Sequence, residues 1–310
     1  MKKVFIDGSV GTTGLRIFDR LSQRDDIEII RLPEEERKEL SARKRAINES
    51  DITFLCLPDP AAIEAVSLID NENTVIIDTS TAHRTEPGWA YGYPELSKKH
   101  EDAVKTSKRI AVPGCHASGF ITLVYPLIEK GIISPNTRLT CHSLTGYSGG
   151  GKQMIAGYGD ENRSPLLDAP RQYALGQSHK HLKEMTKITG LEISPIFCPI
   201  VSDFYSGMLV TVPLFKEDLN EGYSISHIKK AYEEKYTGPI VTYKDAIDEG
   251  GFISAGTLSG KDSMFVSVSG NEDRILLIAA YDNLGKGASG AAVECLNYVM
   301  GTDKTTGLDL

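Results

Sequence analysis

The stretch Val4-Phe5-Ile6-Asp7-Gly8-Ser9-Val10-Gly11-Thr12-Thr13-Gly14-Leu15-Arg16-Ile17-Phe18 decides the fold of this chain. Val4-Phe5-Ile6 is a short β-rich run. From Leu15 to Leu21 the apolar residues recur at helical period. A strand, a glycine turn and a helix in that order form the context in which glycines admit a pyrophosphate: they close a tight turn, let the backbone approach the ligand, and offer it the free N–H groups of a helix start. The spacing is G-x-x-G-x-x-G rather than G-x-G-x-x-G. A glycine turn in another α/β fold would share it.

The segments that follow continue the alternation. Ile27–Ile30, Ile52–Leu57 and Val75–Asp78 read as strands, and 38–48 and 61–68 as helices. Near-continuous apolar strands separated by helices imply a Rossmann-like, doubly wound parallel sheet with ligands at the C-terminal ends of its strands. Arg31 stands after the second strand, where an NAD-selective site usually carries an acidic residue. A guanidinium there suits a 2′-phosphate, so NADP is expected over NAD. Arg31 as a solvated surface residue is the other reading, with Glu34, Glu35 and Glu36 nearby.

A second informative stretch is Val112-Pro113-Gly114-Cys115-His116-Ala117-Ser118-Gly119. It follows the apolar run Arg109–Val112 and opens a segment with Phe120, Val124, Leu127 and Ile128 at helical spacing. Cys115 is thereby expected in the first turn of a helix, where unpaired N–H groups and the macrodipole favour an anion and hence a thiolate. A buried core cysteine is the alternative.

Beyond Cys115 longer β-rich runs appear at 138–144, 193–200, 208–214, 265–269 and 275–281, with one clear helix at 225–236. This predicts an α+β substrate domain built on a mainly antiparallel sheet. Thr145-Gly146-Tyr147-Ser148-Gly149-Gly150-Gly151-Lys152 reads as a tight or mobile loop able to dock an anion, or as a plain surface loop. Ser178-His179-Lys180-His181-Leu182-Lys183-Glu184 reads as a helix start with Ser178 as N-cap. Two histidines two residues apart are poorly spaced for a metal, and acid–base work beside a thiolate suits one of them better. Small residues at Gly287, Ala288, Ala291 and Ala292 let the last helix pack closely, with the N-terminal sheet as the expected partner. The first domain is then discontinuous: 1–114 with 286–310 for the dinucleotide, and 115–285 for substrate, catalysis and oligomerisation.

Composition narrows the class. The 310 residues are 40% hydrophobic and 25% charged, with a net charge of -8, which fits a cytosolic metabolic protein and argues against a nucleic-acid partner. No run of about 18 apolar residues suggests a membrane span, and the charged N-terminus carries no apolar leader. Five cysteines lie scattered at 56, 115, 141, 198 and 295, without a C-x-x-C pair, so neither a disulfide framework nor a zinc ribbon is implied.

Taken together in this order, Gly8–Gly14, Pro113–Gly119, Gly146–Lys152, His179-Lys180-His181 with Glu184, and Lys286-Gly287-Ala288-Ser289-Gly290 resemble the acyl-phosphate-reducing semialdehyde dehydrogenases. Within them the chain is similar to the short-form N-acetyl-γ-glutamyl-phosphate reductases of arginine biosynthesis, from Lys3 to about Met300. The resemblance implies NADP(H), a covalent thioacyl intermediate, a small substrate that is anionic at both ends, and a homodimer or homotetramer. It implies Cys115 as nucleophile and His179 as general acid/base, with His181 as the other candidate for that role. His181, Glu184, Lys152, Arg163 and Arg171 would bind or orient substrate, with Lys180 and Arg84 as further cations. Gly8, Ser9, Gly11, Thr12, Thr13, Gly14, Arg31, Ser148, Gly149 and Asn283 would hold the cofactor. Aspartate-semialdehyde dehydrogenases, the near relatives, usually carry Asn where this chain has Gly114, and longer reductases often carry Arg where it has Lys180. Reduction of another amino-acyl phosphate and a non-catalytic NADP-sensing regulator are the competing expectations.

Overall fold

The computed structural model describes all residues from Met1 to Leu310. The chain divides into two units: Met1–Pro113 with Ala288–Leu308, and Gly114–Gly287 with Asp309–Leu310.

The first unit runs β1 (Lys2–Asp7), α1 (Thr12–Leu21), β2 (Ile27–Ile30), α2 (Leu40–Glu49), β3 (Ile52–Leu55), α3 (Asp59–Ser67), β4 (Val75–Asp78), β5 (Ala90–Tyr91), α4 (Lys98–Thr106) and β6 (Arg109–Ala111). Its six strands lie in the order β2-β1-β3-β4-β6-β5, all parallel. The sequence pattern missed β5 and α4: one is two residues long, the other, KKHEDAVKT, buries only Val104. Strand order reverses between β1 and β3, the position at which ligands meet such sheets. Gly8 follows β1 there with φ +91, and a Cβ on it would come within 2.3 Å of the Cys56 carbonyl after β3. One face of the sheet is covered by a helix that returns at Gly290–Met300. Its Ala291, Ala292, Val293 and Leu296 share a core with Val4, Ile6, Ile17, Phe54, Ile77 and Ile110. Ala291 and Ala292 thus pack as the sequence suggested, whereas Gly287 belongs to the second unit, and the first unit is discontinuous in the chain.

The second unit contains α5 (Cys115–Glu129), β7 (Thr140–Gly146), α6 (Gly151–Gly159), β8 (Arg171–Gln172), α7 (His181–Thr189), β9 (Ile196–Ser202), β10 (Met208–Phe215), α8 (Ile225–Lys235), β11 (Val241–Tyr243), β12 (Met264–Gly270) and β13 (Arg274–Tyr281). The returning helix Gly290–Met300 is α9. The sheet order is β11-β12-β13-β10-β7-β9-β8, antiparallel except at β11–β12 and β7–β9. Two expectations are corrected. Helix α6 was not expected: the glycines of 149–151 lead into a helix rather than a long loop. Ser178 is not an N-cap: α7 begins at His181, and the side chain that receives its first amide is His179.

Helix α5 is buried almost all round and packs on β10, β13, α7 and α8. Its interior Pro126 has no N–H to give the Thr122 carbonyl four residues back. The Tyr236 hydroxyl fills that gap at 2.6 Å, and Tyr232 bonds the Leu123 carbonyl beside it. The carbonyls that a proline-bearing helix would leave open are thus satisfied in the helix that carries Cys115 at its head.

Candidate active site

Cys115 occupies the first turn of α5 and is half-buried. Helix α5 has no side-chain cap at Gly114, so the amides at its start face outward from the backbone. Gly114 is instead held from behind: its N–H donates to Glu184 Oε1 at 2.8 Å, across 70 residues of sequence. Glu184 is buried on α7. It was expected near the substrate, and the structure gives it a backbone to hold, immediately before the cysteine.

Cys115 is also gripped through its carbonyl. The Tyr281 hydroxyl donates to Cys115 O at 2.5 Å and accepts from Gly119 N at 3.0 Å, standing in the first i→i+4 turn of α5. Gly119 is what admits it, since a Cβ there would lie 2.6 Å from that hydroxyl oxygen. The next residue, Asp282, is fully buried and receives the amides of Leu284 and Gly285, the Gly260 amide and the Ser206 hydroxyl. That ordering sets the 282–287 turn so that Gly287 lies against the Cys115 Cβ.

Three histidines gather near the head of α5. The His179 and His181 ring centroids are 4.7 Å apart, and His116 stands 6.0 Å and 5.6 Å from them. Phe197 closes the cluster against His116 and His179. His181 is buried, whereas His179 is half-buried and its Nδ1 accepts the His181 amide at 3.2 Å. The sequence passed over His116. It is 3% exposed, between Ser143 Oγ and the Tyr173 hydroxyl, each at 2.6 Å. Burial first, then the neighbouring His179, pushes its pKa down from 6.5 to about 3. The unfolded chain therefore takes up a proton near pH 6.5 that the folded one refuses until about pH 3. The stability this contributes is complete above pH 6.5 and is lost as pH falls toward 3, at up to about 1.4 kcal/mol per pH unit. Urea unfolding from pH 7 to 4 should show that slope in the wild type and a shallower one in His116→Asn.

The expected substrate cations part company. Arg163 is tied to Asp203 and Asp168 at 2.5 and 2.6 Å, and these carboxylates hold its charge. Buried Arg84 donates to the Val112 and Thr79 carbonyls. Lys152 on α6, Arg171 on β8 and Lys180 before α7 are exposed, Arg171 resting on Tyr158. Ser148, Gly149 and Asn283 do come together, but the Asn283 amide is occupied: it donates to Ser148 Oγ at 3.0 Å and accepts the Gly207 amide at 2.9 Å. No group of three His, Cys, Asp or Glu side chains could hold a metal ion.

In the first unit, the glycine turn fits a dinucleotide pyrophosphate. Gly11 caps α1 with no side-chain bond, leaving the Thr12, Thr13 and Gly14 amides at the helix start, and Ser9 lies in the turn. Asp7, just before Gly8, is fixed by Arg43 at 3.0 Å, and Arg43 also reaches Glu64 at 2.8 Å. Burial raises the Asp7 pKa and Arg43 opposes the rise. Arg31 is exposed past β2, its guanidinium 4.6 Å over the Phe18 ring.

Residues 3–104 match the model of a semialdehyde dehydrogenase NAD-binding domain, and 115–283 that of a semialdehyde dehydrogenase dimerisation domain. Solved structures share the fold. An aspartate semialdehyde dehydrogenase II from Vibrio cholerae superposes with a TM-score of 0.73 at 15% identity, covering 97% of this chain and 98% of that one. One from Candida albicans, solved with NADP, gives 0.65 at 17%, covering 99% of each. Sequence relatives are nearer: an N-acetyl-gamma-glutamyl-phosphate reductase 2 from Nostoc is 41% identical over 99% of both chains, and a reductase from Brucella ovis 43% identical over 96% of this chain and 99% of its own. The chain belongs to the N-acetyl-gamma-glutamyl-phosphate reductase family of semialdehyde dehydrogenases.

Proposed function

We propose that this chain catalyses the NADPH-dependent reduction of N-acetyl-γ-glutamyl phosphate to N-acetylglutamate 5-semialdehyde and phosphate, through a thioester on Cys115. The observation that carries the reading is Cys115 itself: the head of a buried helix, with Glu184 fixing the amide before it, in a chain 41–43% identical to such reductases over nearly its whole length.

The helix start stabilises the thiolate. Its sulfur attacks the acyl carbon, a C–S bond forms, and the C–O bond to phosphate breaks; phosphate is a good leaving group, so no strong acid is needed. NADPH, when bound by Gly8, Ser9, Gly11, Thr12, Thr13, Gly14 and Arg31, supplies the hydride that reduces the thioester. The oxyanion left on the acyl carbon is held by the amides at the start of α5. His179 lends it a proton and takes that proton back as the carbonyl re-forms and the C–S bond breaks, which regenerates the thiolate. The one proton consumed overall leaves with phosphate. Lys152, Arg171 and Lys180 are the cations proposed for the substrate's carboxylate and phosphate.

Arg31→Ala should raise KM for NADPH about ten-fold, equal to about 1.4 kcal/mol, and leave KM for NADH nearly unchanged. Unchanged KM for both cofactors would assign Arg31 to the surface. The activity is tested in reverse, by phosphate-dependent oxidation of N-acetylglutamate semialdehyde against aspartate semialdehyde, with NADP and with NAD. Preference for aspartate semialdehyde overturns the substrate. Tight NADPH binding without oxidation of either makes the chain a nucleotide sensor.

No helix is long and apolar enough to cross a membrane. Five free thiols and the net charge of -8 support work in the cytoplasm. The second unit's sheet supports self-association. Opposite α5 and α8 it presents Ile196, Ile200, Leu144, Leu209, Pro213 and Leu276 in register, with Ile196 59% and Leu276 40% exposed. An apolar face of that kind in a domain matching a dimerisation model is the proposed homodimer contact, within a dimer or tetramer.

A further inference from the structure

Ser143, His116 and Tyr173 form a line of side chains next to Cys115 that the mechanism above leaves unused. His116 follows Cys115 in α5. The Ser143 hydroxyl, fully buried on β7, hydrogen-bonds to His116 alone, and so does the hydroxyl of Tyr173, just past β8. Only the phenol is half-buried; the serine and the imidazole are away from water.

A neutral imidazole has one N–H, so the line can run in two directions. In the first, Nδ1–H donates to Ser143. The serine's own hydrogen is then left without an acceptor in a fully buried position, a costly arrangement. In the second, the Ser143 O–H donates to Nδ1, and Nε2–H donates to the Tyr173 oxygen. Every hydrogen of the buried pair is then satisfied, and the one left over is the phenolic hydrogen of Tyr173, at the partly open end. The second direction is therefore favoured. Tyr173 stands edge-on to His116 and to His179, with centroids 6.0 Å and 6.1 Å away, so it is a neighbour of the proton donor assigned above.

We infer that the Tyr173 hydroxyl donates a hydrogen bond to the acyl oxygen carried on Cys115, with His116 and Ser143 as positioning residues that fix its direction. The inference rests on the thioester reading. Burial and then the charge of Cys115 push the Tyr173 phenol well above its ordinary range, so it keeps its hydrogen throughout. No bond to hydrogen breaks at Tyr173; the transferable proton stays with His179. The preorganised donor strengthens its hydrogen bond as charge develops on the acyl oxygen.

Tyr173→Phe removes one oxygen atom. It should lower kcat about 10²-fold, the size of losing one oxyanion donor, while KM for the semialdehyde moves by less than about three-fold. Imidazole-nitrogen NMR of the wild type should show His116 protonated on Nε2 and bare on Nδ1, and Ser143→Ala should erase that preference. A Tyr173→Phe enzyme with kcat within two-fold of wild type overturns the inference, as does a His116 proton on Nδ1. Should Tyr173→Phe fail to fold, the wild-type NMR result decides alone. An active Cys115→Ala enzyme would instead bring down the thioester reading, so the two failures are told apart.

Discussion

Cys115→Ala is expected to abolish phosphate-dependent semialdehyde oxidation, with a loss on the order of 10⁶-fold, the size found when a covalent nucleophile is removed. Without the sulfur there is no thioester, and the remaining groups at the head of α5 have nothing to hold. The fold should survive. The change deletes one half-buried atom, and the elements that shape this turn act on backbone: Glu184 on the Gly114 amide, Tyr281 on the Cys115 carbonyl, Gly287 against the Cβ that alanine keeps. NADPH binding should persist, because the Gly8–Gly14 turn belongs to a unit with its own core. Cys115→Ser should be as inactive, since a hydroxyl gains too little from a helix dipole to ionise near neutral pH. Mass spectrometry of wild-type enzyme mixed with acyl phosphate should show one acyl adduct on the peptide holding Cys115, absent from both variants. Turnover in Cys115→Ala would refute covalent catalysis.

Local pattern made much of this molecule legible. Strand β4 lies where its apolar run said, and α1 and α5 start beside their glycines, because each depends on residues adjacent in sequence. The site was legible only as types. Cysteine at a helix start and a downstream pair of histidines could be read off; what holds them could not, since the holders are remote. Glu184 reaches back 70 residues to Gly114, and Tyr281 reaches 166 to Cys115. A charged residue in the first turn of α7 looks, in one dimension, like any solvated carboxylate. The partners of Arg163 were hidden for the same reason: Asp203, which it pairs with, is 40 residues away. Two signals were present and unread. Gly119 sits inside an apolar helical run, where glycine weakens a helix unless something must come close; that something is Tyr281. His116 sits in the same run, and a histidine on a core face needs partners for both nitrogens, which asks for two more polar residues in the core.

The second large effect belongs to His179, and the structure separates it from its neighbour. A residue that lends a proton to the bound substrate and takes it back must be able to reach that substrate from an accessible position. His179 is half-buried, whereas His181 is 5% exposed. His179→Ala should therefore lower kcat by about 10²–10⁴-fold, the usual range for loss of a positioned acid or base, with KM little changed. Cys115 should still take up acyl groups from acyl phosphate at near the wild-type rate, because that half-reaction expels phosphate without a strong acid. The deficit thus falls on the reductive half alone, which a burst of phosphate followed by slow NADPH consumption would reveal. Added imidazole should restore part of the rate in His179→Ala, through the opening the side chain leaves. His181→Ala should behave otherwise. The buried ring packs against His116 and His179, so its removal opens a buried cavity, lowers the unfolding temperature and leaves nothing that imidazole can rescue. A His179→Ala enzyme with wild-type kcat, beside a His181→Ala enzyme that is folded, slow and rescued by imidazole, would transfer the proton to His181.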